Sequence, residues 1–305
     1  MLNKLCCACL ALVLLAGCVG GPRDAPALTR TEFMLDTFVS ITLYGGGDEA
    51  TLAEAFELAR QLERVFCRHT PGSELYEYNA QGGIAYLLYV AAYYHGLSGG
   101  AFNVYIAGLM DLWFGAREFD APRTPPGAEE IEWELQEGGG IDLGGIAKGF
   151  MADAIGRQLR ENGVTSALID LGGDILVVGG MPGGRAFRIG VRDPFERQLL
   201  GVVEVRDAAV ATSGVYERYF MHEGRRYHHI LDARTGWPAQ SGVASVTVVS
   251  PSGLQADALS IVALLLGADA GLALIEATPG AEAIFVTESA EILLSSGLVG
   301  NFELA

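Results

Sequence analysis

Apolar and polar residues alternate over 33–44, which places Val39, Ile41 and Leu43 on one face and predicts a strand. Gly45, Gly46 and Gly47 then turn the chain. Asp48 opens a helix whose apolar stripe is Leu52, Ala55, Phe56, Ala59, Leu62 and Phe66. Residues 84–97 predict an apolar helix with Tyr86, Tyr89, Tyr93 and Tyr94, whose rings read as packing. A loop follows at Gly99, Gly100, Ala101, Phe102 and Asn103, and the prolines Pro122, Pro125 and Pro126 make 115–130 irregular. Helical spacing returns over 148–161, where Met151, Ala154, Ile155 and Leu159 share a face and Asn162-Gly163 closes the element.

Downstream, 166–169 and 175–178 read as strands around Asp170-Leu171-Gly172-Gly173-Asp174. Further strands fall at 185–191, 201–206 and 243–249. A helix at 256–266 is apolar nearly all round and therefore deeply buried. A last pair at 283–286 and 291–294 is hairpin-like. Strands and helices mix without regular alternation, so the fold class is α+β, with mixed or antiparallel sheets and packed helices.

The chemistry concentrates where Gly139-Gly140-Ile141-Asp142-Leu143-Gly144-Gly145-Ile146-Ala147-Lys148-Gly149 runs into a helix. Glycines let backbone approach a ligand, and free N–H groups at a helix start attract phosphate. Lys148 adds a point charge for the same anion. Asp142 suits a hydroxyl, an amine or a metal; the plainer reading is a strand-to-helix turn with a capping Asp. The stretch is neither a Walker loop nor a dinucleotide fingerprint.

Other polar groups carry two readings each. His228 and His229 are adjacent in a strand and point to opposite faces, so one faces a pocket while the other packs, unless both are structural. Arg234 in its turn is an internal salt bridge or a ligand contact. Asp257 is the only charge in its helix, either a cap on that helix or the holder of a divalent ion. Ser213 lacks a nucleophile elbow and a placed base.

The N-terminus sets the compartment. Lys4, an apolar run over 10–15 and Leu15-Ala16-Gly17-Cys18 have the form of a lipoprotein signal peptide, with Cys18 as the lipidated first mature residue. Residues 1–17 are then signal, 18–29 a tether and 30–305 the functional domain. Cys67 is the one cysteine left to that domain, which therefore has no internal disulfide. The formal net charge is −17, and loss of the signal removes only Lys4 among charged residues. This balance argues against nucleic acid and polybasic membrane docking, so the lipid does the anchoring.

Taken in order, several blocks resemble the flavin transferases of the ApbE type. They are Leu35-Asp36-Thr37, Ser73-Glu74-Leu75 with Asn79, Ala101-Phe102 with Leu112-Trp113, 142–149, Leu171-Gly172-Gly173, Ala211-Thr212-Ser213-Gly214, 227–238 and Ala256-Asp257-Ala258-Leu259-Ser260. The resemblance implies a fold of that family and transfer of FMN from FAD to a threonine of a target protein, with AMP released. FAD is the substrate and magnesium the cofactor. It implies that Asp142 and Lys148 contact the nucleotide, and that the Gly145 carbonyl and the Asp257 carboxylate ligate the metal. Leu35, His69, Ala101, Phe102, Asn103 and Leu231 would line the FAD pocket, joined by Thr212, Ser213 and Gly214. His229 and Asp257 would assist proton transfer, with Lys148 stabilising charge. The implied partner is an exported or membrane-bound flavoprotein subunit, met at the outer face of the cell membrane. The chain departs from the pattern at Ile261, where the family usually has Thr, and at Asn103, where it usually has Asp.

Overall fold

The alternation over 33–44 is two strands rather than one. In the computed structural model, which describes residues 27–68, 84–115 and 123–305, β1 (Leu28–Met34) pairs antiparallel with β2 (Thr37–Gly45). The link is Leu35-Asp36, both left-handed with φ of 55° and 57°. That conformation suits glycine, asparagine or aspartate, so Asp36 fits the turn while Leu35 gives no sign of it. The hairpin also corrects the tether, because β1 starts at Leu28. The expected signal, Cys18, His69 and the block from Ser73 to Asn79 lie outside the described residues.

Helix α1 (Glu49–Phe66) begins as expected: the Asp48 carboxylate accepts the Thr51 N–H at 3.0 Å. Its stripe puts Leu52, Ala55, Phe56 and Ala59 in the core. In α2 (Ala85–Leu97) the packing expectation fails for three rings. Tyr94 is buried, but Tyr86, Tyr89 and Tyr93 are exposed, because Leu87, Ala91 and Tyr94 supply the buried face. Helix α3 (Ala107–Phe114) has no periodic stripe of its own to reveal it. Helix α4 (Ala128–Glu137) occupies the end of the stretch expected to be irregular, since the prolines stop before Gly127 and Glu130 accepts the Gly127 N–H at 2.7 Å.

Helix α5 (Ala147–Glu161) leads into β3 (Ser166–Leu171) and β4 (Ile175–Gly179). Strands β5 (Phe187–Arg192), β6 (Leu199–Val205) and β7 (Ala209–Gly214) follow. Thr212-Ser213-Gly214 is thus the end of a strand. Then come β8 (Tyr219–His222), β9 (Arg225–His228), β10 (Leu231–Asp232), β11 (Trp237–Pro238) and β12 (Val243–Ser250). Helices α6 (Gly253–Leu266) and α7 (Ala268–Glu276) precede β13 (Glu282–Thr287), β14 (Ile292–Leu294) and β15 (Phe302–Leu304).

An eight-stranded antiparallel sheet in the order β1-β2-β3-β4-β7-β12-β13-β14 forms the frame. On one face its inward residues, such as Ile41, Ile169, Ala211 and Val246, meet the helices in the main core. On the other, Val177, Val210 and Ile284 meet the small sheet β5-β6-β15 through Phe187, Ile189, Val203 and Phe302. A third cluster joins α3, α4 and the β9–β10 region through Leu109, Trp113, Ile131, Tyr227 and Leu231. The α+β reading holds. Helix α6 is apolar all round because it lies among β7, β12, α5 and α7.

Candidate active site

Helix α5 starts without a side-chain cap at Ile146. Its third amide, that of Gly149, donates instead to Asp257 Oδ2 at 2.9 Å. Asp257 stands in the second turn of α6, whose own N-cap is Ser252. The carboxylate therefore caps the neighbouring helix, not the one that carries it. The exchange runs both ways. Asp153 of α5 accepts the Gly253 N–H at 2.6 Å, the Leu254 N–H at 3.0 Å and the Ser252 hydroxyl at 2.7 Å. Two glycines permit the crossing: a Cβ on Gly149 would stand 2.2 Å from the Gly253 carbonyl oxygen.

Charge collects at the same place. The Lys148 ammonium bonds the Asp174 carboxylate. Asp174 and Asp257 are 5% and 6% exposed, so two buried acids face one ammonium. Burial pushes the Asp257 carboxyl up to about 7, and the Asp174 charge adds to this; Lys148 and the Gly149 amide pull it back. Burial works against the Lys148 cation, but the two carboxylates outweigh it and hold its pKa above the usual lysine value. Ser213 and Ser260 hydroxyls meet at 2.8 Å, and Ser260 donates to the Asp257 carbonyl at 2.8 Å, so Ser213 is the donor of the first bond.

Gly145 lies one turn before this point. A Cβ on it would stand 3.1 Å from Ile261 Cδ1 and 3.2 Å from Phe102 Cε2, so the three residues meet. Phe102 is held by the Ser98 hydroxyl, which accepts its N–H at 2.9 Å, and by His95 Nδ1, which donates to its carbonyl at 3.0 Å. Ala101 accepts the Ala233 N–H at 3.0 Å, which ties this loop to the β10 region. Asn103 turns its carboxamide oxygen onto the Tyr105 N–H at 3.0 Å.

Asp142 does not cap the helix. Its Oδ1 accepts the Gly144 N–H at 2.8 Å, while Oδ2 accepts from Arg68 Nε at 2.9 Å. Arg68 also forks onto Asp111 at 2.9 and 3.0 Å, so one guanidinium fastens the end of α1 to α3 and to the glycine stretch. Sequence reasoning missed Arg68, Asp174 and Asp153 as site residues; Ser252 with Gln255 three residues on was the one local signal for the true start of α6.

The remaining positions have partners of their own. Leu35 is at the β1–β2 tip, its N–H donating to Glu63 Oε1 at 2.7 Å. The Thr212 and Thr247 hydroxyls meet at 2.8 Å, and Gly214 abuts the Tyr216 ring. Leu231 packs with Trp113 and Tyr227 in the third cluster. Arg234 pairs with Asp232 at 2.5 Å, the internal salt bridge.

The histidines take different parts. His228 is buried, and its Nε2 donates to the Ala239 carbonyl at 3.0 Å. His229 is half-buried with Nδ1 donating to the Arg218 carbonyl at 3.2 Å, which leaves Nε2 as the proton acceptor. Burial, and for His229 also the Arg218 charge, lowers each to about 4. Both rings are neutral at pH 7. For His228 this fixes a sign: below the unfolded value of 6.5 only the unfolded chain gains the proton, so stability falls as pH drops from 6.5 towards 4. His228→Gln is expected to remove about 3 kcal/mol of this acid sensitivity, read from urea unfolding at both ends of that range. Equal acid sensitivity in both proteins would refute it.

The frame and this constellation define an α+β protein built on one antiparallel sheet, with a buried charged cluster where two helices start against each other. The profile of the ApbE family matches residues 35–285, and the chain belongs to the ApbE family. A Treponema pallidum protein named FAD:protein FMN transferase is 33% identical over 331 residues, spanning 93% of this chain and 91% of its own length. A Klebsiella pneumoniae protein of the same name is 32% identical and spans 90% of this chain and 93% of itself. Among solved structures, the Thermotoga maritima ApbE protein superposes with a TM-score of 0.82 at 28% identity, covering 90% of this chain and 99% of that one. The apo form of Pseudomonas stutzeri flavinyl transferase ApbE gives 0.78 at 25% identity, covering 92% and 98%.

Proposed function

We propose that this chain is a FAD:protein FMN transferase that uses magnesium and moves FMN onto a threonine of an exported or membrane-bound flavoprotein. The observation that carries the reading is the meeting of Lys148, Asp174 and Asp257 at the first turn of α5. In the reaction the threonine oxygen bonds to the FMN-side phosphorus, the bond from that phosphorus to the bridging oxygen breaks, and AMP leaves with that oxygen. Lys148 offsets charge growing on the phosphoryl oxygens. The threonine proton passes to His229 Nε2, whose ring is unprotonated at pH 7, or to the Asp257 carboxylate, which titrates near neutral pH.

The donor set fits a hard cation. Two buried carboxylates share one ammonium, and carboxylate oxygens are the donors such an ion prefers. Among the described residues no three His, Cys, Asp or Glu side chains form a cage; on this reading Asp257, the Gly145 carbonyl and water would hold the ion. Magnesium there supplies charge to offset that of the diphosphate. The reading includes export and a lipid on Cys18, supported by the order of Lys4, apolar run and Leu15-Ala16-Gly17-Cys18. The mature protein incubated with FAD, magnesium and a threonine-bearing acceptor is expected to yield an acceptor heavier by FMN, together with AMP. FAD binding without either product would refute transfer.

A second reading is favoured by Ile261, whose Cδ1 faces Gly145 where a hydroxyl is usual. On it the chain binds FAD with weak transfer, or hydrolyses it with water in place of threonine. Ile261→Thr is expected to lower the magnesium concentration for half-maximal activity by about tenfold, by adding one oxygen donor. An unaltered magnesium requirement would show that this position plays no part.

A further inference from the structure

Lys4 and Lys148 are the only lysines among the 20 Lys and Arg of this chain; all the others are arginine. Removal of the expected signal leaves Lys148 as the one ammonium side chain of the mature protein. An ammonium is a compact point charge on a flexible stem, whereas a guanidinium is a planar fork. A flexible stem brings its charge to one place only when something fixed receives it.

Asp174 is that fixed group. It stands in the turn from β3 to β4, after Gly172 and Gly173, which are left-handed with φ of 70° and 101°. The Asp170 carboxylate accepts the Gly173 N–H at 2.8 Å, and the Asp174 carbonyl accepts the Leu171 N–H at 2.9 Å. Thr37 of β2 closes the turn from the side, since a Cβ on Gly172 would stand 2.3 Å from its Oγ1. The carboxylate at the end of this turn bonds the Lys148 ammonium. The Asp174 side chain is 7% exposed and that of Lys148 32%, so the pair is closed on the side of the acid and open on the side of the ammonium.

We infer that Asp174 is a positioning residue, which holds the Lys148 ammonium where charge grows on the transferred phosphoryl group and touches neither nucleotide nor metal itself; this rests on the transferase reading. Its closed side leaves it no face for a ligand, and a second buried carboxylate at the site repels a diphosphate rather than binding it. The two effects of Asp174 therefore have opposite signs. By sharing the ammonium it loosens the grip on the resting diphosphate. By fixing the ammonium it removes the cost of ordering that side chain as charge appears, which speeds the step.

Asp174→Asn in the mature protein keeps the size of the side chain and removes its charge. It is expected to lower kcat about tenfold, as Lys148 regains rotamer freedom, and to leave KM for FAD unchanged or lower. In a Lys148→Met background the same change is expected to alter kcat by less than about twofold, because its route is gone. A merely structural role would lower kcat in both backgrounds. Unchanged kcat, a raised KM with kcat intact, or an equal loss without Lys148 overturns the inference. So does a loss that added magnesium restores, which would make Asp174 a metal ligand. A second readout needs no turnover. With isotopically labelled lysine, heteronuclear NMR of the mature protein without FAD is expected to show one ammonium signal, broadened by solvent exchange in Asp174→Asn. A signal that persists unchanged in Asp174→Asn overturns the inference. A parent that keeps this signal yet transfers no FMN counts against the transferase reading, while the hold of Asp174 on Lys148 stands.

Discussion

Asp257→Ala is expected to lower FMN transfer by about a thousandfold, the scale of losing one preorganised charge at a phosphoryl centre. The variant also strips the Gly149 amide of its acceptor, which costs about 1–3 kcal/mol of stability. Asp257→Asn separates the two effects. Its carbonyl oxygen still caps Gly149, and the buried charge, held up to about 7 by burial and by Asp174, is gone. That variant is expected to keep parental stability by urea unfolding and to lose activity like the alanine. Unaltered turnover at saturating magnesium in either variant would refute the assignment of Asp257.

Gly149→Ala is expected to destabilise the fold by about 3 kcal/mol or more, because the added carbon has nowhere to go. It would stand 2.2 Å from the Gly253 carbonyl oxygen and 2.7 Å from Asp257 Cβ, contacts that only a shift of one helix relieves. Moving α5 away from α6 parts the Gly149 amide from Asp257 and carries Lys148 with it, so activity falls with stability. Urea unfolding that places Gly149→Ala within about 0.5 kcal/mol of the parent would mean that the crossing yields easily.

The frame was legible in the sequence because its strands and helices have clean periods. The stripe from Leu52 to Phe66 and the alternation at Val39, Ile41 and Leu43 both lie where the burial pattern puts them. Turns without glycine were not: Leu35 adopts a left-handed conformation that its residue type disfavours, so two strands read as one. The boundaries of α6 were misplaced for a similar reason. Its first turn carries Gly253 and Gln255, and the extended Ser252 cap is a weaker signal than the apolar run behind it. The site was half visible. Lys148 stood out as the one cation of the glycine stretch and Asp257 as the lone charge of its apolar run. Arg68 and Asp153 act on groups far away in sequence, 74 residues for Arg68 to Asp142 and 100 for Asp153 to Gly253, and no local pattern encodes such a pairing. Leu231 is buried as any leucine would be, and its sequence neighbours do not reveal which cluster receives it.

Because each of the two crossing helices supplies the acid that closes the other's open end, neither aspartate is at liberty to drift alone. A descendant of this chain that had lost all turnover would still retain an acceptor at 257, aspartate or asparagine, as masonry. Its presence in any such sequence testifies to the architecture first, and only an assay distinguishes a working copy from a silent one.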